Sequence, residues 1–267
     1  MSLWWLAYPL LGAFAGFIAG LFGVGGGLTL VPVLFMIFAA QGFPDAHLMH
    51  LALGTSMTTI VFTSVSSMRA HHGHGAVRWD IVRAMAPGLL IGTFGGSLLT
   101  GLVPTRPLVW CFVLIVYCAS AQMMMDFKSK PQRQLPGPFG IFAVGSGIGI
   151  VSSLVAAGGG FLSIPFMVFC NVVIHHAVGT SAALGLPIAL AGMAGYMVAG
   201  WGASSLPPFA FGYIYLPALI GIVVVSMLVA PFGARLAHRL PVKQLKRGFG
   251  GFLAILATKM LHSLISG

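Results

Sequence analysis

The sequence predicts an all-α polytopic membrane protein of two inverted repeats, each with about five hydrophobic segments. That makes roughly 8–10 transmembrane helices, some short or re-entrant next to glycine-rich breaks. Three observations carry this reading. Of 267 residues, 58% are hydrophobic and only 6% charged, with mean hydropathy +1.01, whereas about a quarter of a soluble domain is charged. A glycine-rich motif occurs twice at matching places. The basic residues gather in three short stretches between apolar runs.

Taken in order, the apolar segments are 4–22, 28–40, 47–68, 84–103 and 107–125, then 139–155, 161–175, 176–199, 211–233 and 248–266. Most reach the ~20 residues that span a bilayer. Segments 28–40 and 161–175 are shorter, roughly 20 Å at 1.5 Å per residue, which favours partial or tilted spans. Trp4, Trp5 and Tyr8 open the first segment as interfacial anchors. No basic region precedes them, so no cleavable signal peptide is read. Cys111, Cys118 and Cys170 lie in apolar segments without CxxC spacing and read as small core hydrophobes.

The repeat is visible in the letters. "LFGVGGGLTLVPVLF" begins at Leu21, and "AAGGGFLSIPFMVF" begins at Ala156. Gly25, Gly26, Gly27 and Pro32 match Gly158, Gly159, Gly160 and Pro165 at an offset of 133. Upstream, Gly12, Gly16 and Gly20 map onto Gly145, Gly149 and Ser153, small residues four apart that let helices in lipid approach closely. Downstream, Gly54-Thr55-Ser56 matches Gly179-Thr180-Ser181 at an offset of 125, and His50 matches His175 at the same offset. The chain therefore divides into a first membrane repeat (1–125), a polar linker (126–138) and a second, inverted repeat (139–267).

Loop charge sets the expected topology. Loop 69–83 carries three basic residues, the linker three and stretch 234–247 five, together eleven of the thirteen Lys and Arg. Basic loops stay cytoplasmic, so an even number of crossings must separate them. Five segments per half satisfy that, provided the chain turns back at each glycine break rather than merely kinking. An odd count per half inserts the second half upside down, an architecture of secondary transporters. The net charge of +10 is thus a topology signal and points to no nucleic acid.

A glycine triplet serves tight packing or a turn. Two at symmetric positions, each opening a helix with proline at the same place, point instead to a site. Irregular backbone at membrane depth is tolerated where it is buried or lines a wet cavity. A glycine-opened helix start offers bare N–H groups and a positive dipole end to a small anion. The candidate substrate-binding residues are Gly25, Gly26, Gly27, Thr29, Thr55, Ser56, Gly158, Gly159, Gly160, Ser163, Thr180 and Ser181. Hydroxyls of the GTS triplets either bond back to their own helix or converge from both halves on one ligand. His50 and His175 are either interfacial caps or a proton or anion relay. His71, His72 and His74 read as part of a solvated loop, and Lys259 as a snorkelling side chain. There is no glutamate, and Asp45, Asp80 and Asp126 fall in loops or at segment ends. A cation site in the membrane normally keeps a carboxylate, so a cation site is not expected.

These motifs, with "HHAVGTSAALGLPIALAGMAGYM", "GAVRW" (Gly75 to Trp79) and the basic "RLPVKQLKRGFG", closely resemble the sulfite exporter TauE/SafE family over nearly the whole chain. The resemblance implies a multi-pass permease of the bacterial inner membrane. It also implies the substrate class: sulfite, sulfonates such as sulfoacetate, or related small organic anions. The residues alone lead to a small anion carried by alternating access. An anion channel on the same scaffold is the alternative. An enzyme is not expected, since neither HExxH nor GxSxG occurs. No metal or other cofactor is expected. The expected partners are the small anion and the bilayer, and a homodimer is compatible with the sequence.

Overall fold

A computed structural model describes residues 4–22, 26–125, 134–237 and 242–266. Gly25 and residues 126–133 of the linker lie outside them. The helices are α1 (Trp4–Phe22), α2 (Gly27–Ala40), α3 (Leu48–Gly73), α4 (Trp79–Gly101), α5 (Thr105–Met124), α6 (Pro138–Val155), α7 (Gly160–Phe169), α8 (Ile174–Ala199), α9 (Leu216–Ala237) and α10 (Val242–Ser266). Seven of them contain a stretch long and apolar enough to cross a bilayer; the apolar parts of α1, α2 and α7 are shorter. Large apolar side chains face outward all around, Leu10, Ile91, Leu114 and Leu228 among them. In water such a surface would aggregate; in a bilayer it is the solvated one. The protein is an all-α polytopic membrane protein.

Helix directions follow from residue pairs. Glycines of α1 rest on α9: a Cβ on Gly12 would lie 2.6 Å from the Ile222 oxygen, and one on Gly16 2.5 Å from the Ser226 oxygen. Gly145 and Gly149 of α6 face the Met85 and Leu89 oxygens of α4 in the same way, at 2.9 and 2.7 Å. Both pairs run parallel, and both depend on the small-residue ridges read from the sequence. At the centre α3 runs antiparallel to α8, with Ser64 beside Gly185 and Met57 beside Gly192. Ser120 of α5 donates to the Gly250 oxygen (2.6 Å), and Tyr117 bonds Thr258 (2.6 Å), so α5 and α10 are antiparallel too.

These directions place the ends of α3, α5 and α9 and the starts of α4, α6, α8 and α10 together. The three basic stretches bracket this one end, as the crossing parity requires. The chain also turns back at each break. Gln41, at the end of α2, donates to the Tyr8 hydroxyl of α1 (2.7 Å), so α2 returns to the side where α1 began. Likewise α7 runs back to the basic end, where α8 starts. The α1–α2 hairpin thus enters from one end and the α6–α7 hairpin from the other.

Three boundaries differ from the sequence reading. Segment 161–175 ends at Phe169, because Asn171 turns the chain at φ 63. Segment 211–233 opens with a β-hairpin, Ala210–Phe211 (β1) paired to Ile214–Tyr215 (β2), and its helix starts only at Leu216; Gly212 at φ 57 makes the turn. The helices α3, α9 and α10 run past their apolar cores into polar sequence, since a helix does not stop where a bilayer does.

Candidate functional site

The two glycine breaks have the same local geometry. Gly26 and Gly159 cap α2 and α7 in the left-handed region, at φ 75 and 78, where a side chain is strained. The Gly26 oxygen accepts from the amides of Thr29 and Leu30 (both 3.1 Å), and the Gly159 oxygen from those of Leu162 (3.1 Å) and Ser163 (2.8 Å). Helices starting this way leave the first amides, those of Gly27 and Gly160, without intrahelical acceptors and at the positive end of the dipole. Pro32 and Pro165 each stand sixth in their helix. Neither donates, which leaves the Leu28 and Phe161 carbonyls without their usual helical donors.

The breaks meet. The Ala156 carbonyl lies where a Cβ on Gly27 would be, and Ile60 Cδ1 is 2.7 Å from that position. Ala156 caps α6 at φ 47, so the start of α2 abuts the end of α6 at the tip of the opposing hairpin. The second break also borders a cavity. Gly158 covers it, with Ile60, Ser64 and Ser67 of α3 on one wall and Ser181 and Gly185 of α8 on the other. It offers about 10 Å³ to the centre of a water-sized sphere, room for about one water.

Buried polarity around the breaks consists of hydroxyls. Thr29 Oγ1 donates to its own cap, the Gly26 oxygen (2.6 Å), and Ser181 Oγ donates to the Val178 oxygen (2.9 Å). Ser56 Oγ and Ser163 Oγ are fully buried without a partner. An unmatched buried hydroxyl costs about 1–3 kcal/mol, so both are available to a ligand. Among the residues whose burial is described, no Asp, Lys or Arg is buried. Asp45, Asp80 and Lys259 are exposed, and Asp126 lies outside the described residues.

The GTS triplets are placed differently from the expectation of convergence. The backbone N–H of Tyr215 donates to Thr55 Oγ1 (3.0 Å), and that of Arg78 donates to Thr180 Oγ1 (3.0 Å). Tyr215 directly precedes α9 and Arg78 directly precedes α4. The glycine before each threonine admits the same segment: the Tyr213 carbonyl occupies the Cβ place of Gly54, and the Ala76 oxygen is 2.7 Å from that of Gly179. These two clasps sit at opposite ends of the α3–α8 pair. Gly185 faces Ser64, so Thr180 is level with about residue 69 of α3, roughly 20 Å along the axis from Thr55.

The histidines follow the clasps. His50 is 3% exposed; its Nε2 lies 3.1 Å from both the Thr100 and Val103 oxygens, and its ring packs 4.8 Å from that of Tyr213. His175 is exposed. The histidine that touches the other clasp is His176, with Nδ1 3.2 Å from the Ala76 oxygen. Sequence offset therefore pairs His50 with His175, while contact pairs it with His176. A signal for the clasps was present in the letters. Gly75 to Trp79 and Gly212 to Leu216 share an offset of 137, and Gly75 (φ 66) and Gly212 (φ 57) both take positive φ.

Residues 8–260 match the family model described as sulfite exporter TauE/SafE. The chain is 38% identical over 252 residues to a probable membrane transporter protein of Haemophilus influenzae, covering 94% of this chain and 96% of that one. It is 26% identical over 238 residues to one from Bacillus subtilis, covering 86% and 89%. A third, from Methanocaldococcus jannaschii, is 23% identical over 265 residues, covering 96% of each. No solved structure matches. The family and the relatives' names describe membrane transporters rather than enzymes. With nearly its whole length inside the family model and an apolar bundle around two glycine-broken helices, the chain belongs to the TauE/SafE sulfite exporter family.

Proposed function

We propose that this membrane transporter is a secondary carrier of a small anion, sulfite, a sulfonate or a related organic anion, across the bacterial inner membrane by alternating access. One observation carries the reading: two glycine-opened helix starts, Gly27 and Gly160, are brought to the middle of the bundle by hairpins entering from opposite ends. Each helix start offers amides and a positive dipole end. Ser163 in the first turn of α7 and Ser181 in the cavity wall supply hydroxyls at the second break, and the surroundings described hold no buried acid to repel an anion. The matched packing of α1 on α9 and of α6 on α4 supports the inverted-repeat reading. Two broken helices entering from opposite ends favour a carrier over an open channel. The sulfur oxyanion itself comes from the family.

Uptake of labelled sulfite and sulfonates into proteoliposomes tests this. A carrier gives saturable flux that speeds up with unlabelled anion on the far side. Flux that rises linearly with concentration means a channel, and no flux for any of these anions removes the substrate assignment.

A further inference from the structure

We propose that Thr55 and Thr180 latch two gates, one at each end of the bundle, by accepting the backbone N–H groups of Tyr215 and Arg78. The two clasps are one device used twice. A glycine at positive φ turns the chain (Gly75, Gly212), and three residues later an amide reaches a threonine hydroxyl at 3.0 Å. Each clasp joins parts of the chain far apart in sequence, Thr180 to Arg78 and Thr55 to Tyr215. Each also fastens the start of a helix that carries a hairpin: α4 packs on α6, and α9 packs on α1. Releasing Thr180 frees the start of α4, with the α6 hairpin beside it, from α8 at the basic end. Releasing Thr55 frees α9, with the α1 hairpin, from α3 at the other end.

The contact surfaces suit reversible opening. Gly54 and Gly179 present no side chain, so the Tyr213 and Ala76 backbones lie flat on the helix; at the Thr55 clasp the Tyr213 ring, packed on His47 and His50, moves with the segment. One neutral hydrogen bond holds each amide, and losing such a bond shifts an equilibrium by roughly fivefold. Both clasps are engaged in the structure, and the small cavity lined by Ser64, Ser67 and Ser181 lies on the Thr180 side of the bundle. Alternating access then needs only that one latch opens at a time. The inference rests on the alternating-access reading but not on the identity of the anion.

The test uses full-length protein in proteoliposomes, with Cys111, Cys118 and Cys170 replaced by serine. Two buried reporters on α3 are placed singly: Ser64→Cys, in the cavity wall nearer the basic end, and Ser56→Cys, outside the cavity and about two turns nearer the other end. A membrane-impermeant maleimide is applied from each side. Thr180→Val, which keeps the shape and removes the acceptor, is expected to raise labelling of Ser64→Cys from the basic end about fivefold and leave Ser56→Cys unchanged. Thr55→Val does the converse. Thr→Ser at either position restores the parent rates. Unchanged labelling in both valine variants, or an equal rise at both reporters, overturns the proposal. Labelling needs no substrate, so this failure is distinct from a failure of the anion assignment. If the valine variants cannot be purified, hydrogen exchange of the unmodified protein decides. Arg78 and Tyr215 amides that exchange well before the bundle unfolds support the latch; exchange only with global unfolding refutes it.

Discussion

Gly27→Ala isolates the contact between the two breaks. Gly27 is the first residue of α2, with an ordinary helical φ, so alanine is locally tolerated and gains at most the ~1 kcal/mol that separates the two in a helix interior. Propensity therefore works for the variant. Against it stands the Ala156 carbonyl, which occupies the place of the new Cβ, and Ile60 Cδ1 at 2.7 Å. The isoleucine methyl can rotate away. The carbonyl is backbone, held at the end of α6 by the Ala157 amide bonding the Ser152 oxygen (3.2 Å). Relief requires the two hairpins to part. Overpacking of this kind costs about 1–3 kcal/mol, and a rigid neighbour puts it near the top, leaving a net loss of about 2 kcal/mol after the gain in propensity. At a few degrees per kcal/mol for a chain of this size, melting falls by roughly 4–8 °C. The control is Gly147→Ala in α6, where a Cβ meets nothing within 4 Å and stability holds or rises. Differential scanning fluorimetry in detergent reads both, and flux falls only in the Gly27 variant. Equal melting and equal flux in the two variants would refute the tip-to-tip contact.

Gly26→Ala and Gly159→Ala both place a side chain at positive φ, a strain of about 1–3 kcal/mol. The Gly26 variant also meets the Ala15 oxygen at 2.9 Å, whereas the Gly159 variant meets only the movable Ile188 Cδ1. Gly26→Ala therefore melts lower in a paired thermal scan, and the reverse order contradicts the geometry. His50→Leu removes the donor shared by one buried and one half-buried carbonyl, Thr100 and Val103, and costs about 1–3 kcal/mol, while His175→Ala at the surface stays within about 0.5 kcal/mol; denaturant or thermal titration distinguishes them. An equal effect at both histidines would restore the pairing by sequence offset.

Much of this fold was legible in the letters because a bilayer enforces simple rules. Apolar length placed the helices, loop charge placed the turns at the breaks, and glycines four apart marked the α1–α9 and α6–α4 contacts. What escaped depends on contacts between distant parts of the chain. The clasps at Thr55 and Thr180 were not foreseen because nothing local says that Tyr215 and Arg78 arrive there. His176 displaced His175 because helix phase, not repeat offset, decides which ring faces Ala76. The hairpin at Ala210 hid in an apolar run whose length alone suggested helix. At the breaks, the positive φ of Gly26 and Gly159 explains the glycines, while their asymmetry, a cavity beside Gly158 but the Ala156 carbonyl packed against Gly27, has no sequence signal.

Anion-dependent thermal stabilisation of the purified protein tests the central claim most directly. A ligand that binds only the folded state stabilises it by mass action, about 2.7 kcal/mol at one hundred times its dissociation constant. The account predicts that melting rises with the logarithm of sulfite or sulfonate concentration in the unmodified protein, that chloride at matched ionic strength gives no such rise, and that Gly159→Ala loses it. An equal rise with chloride, or an undiminished rise in the variant, would contradict a small-anion site at the glycine breaks.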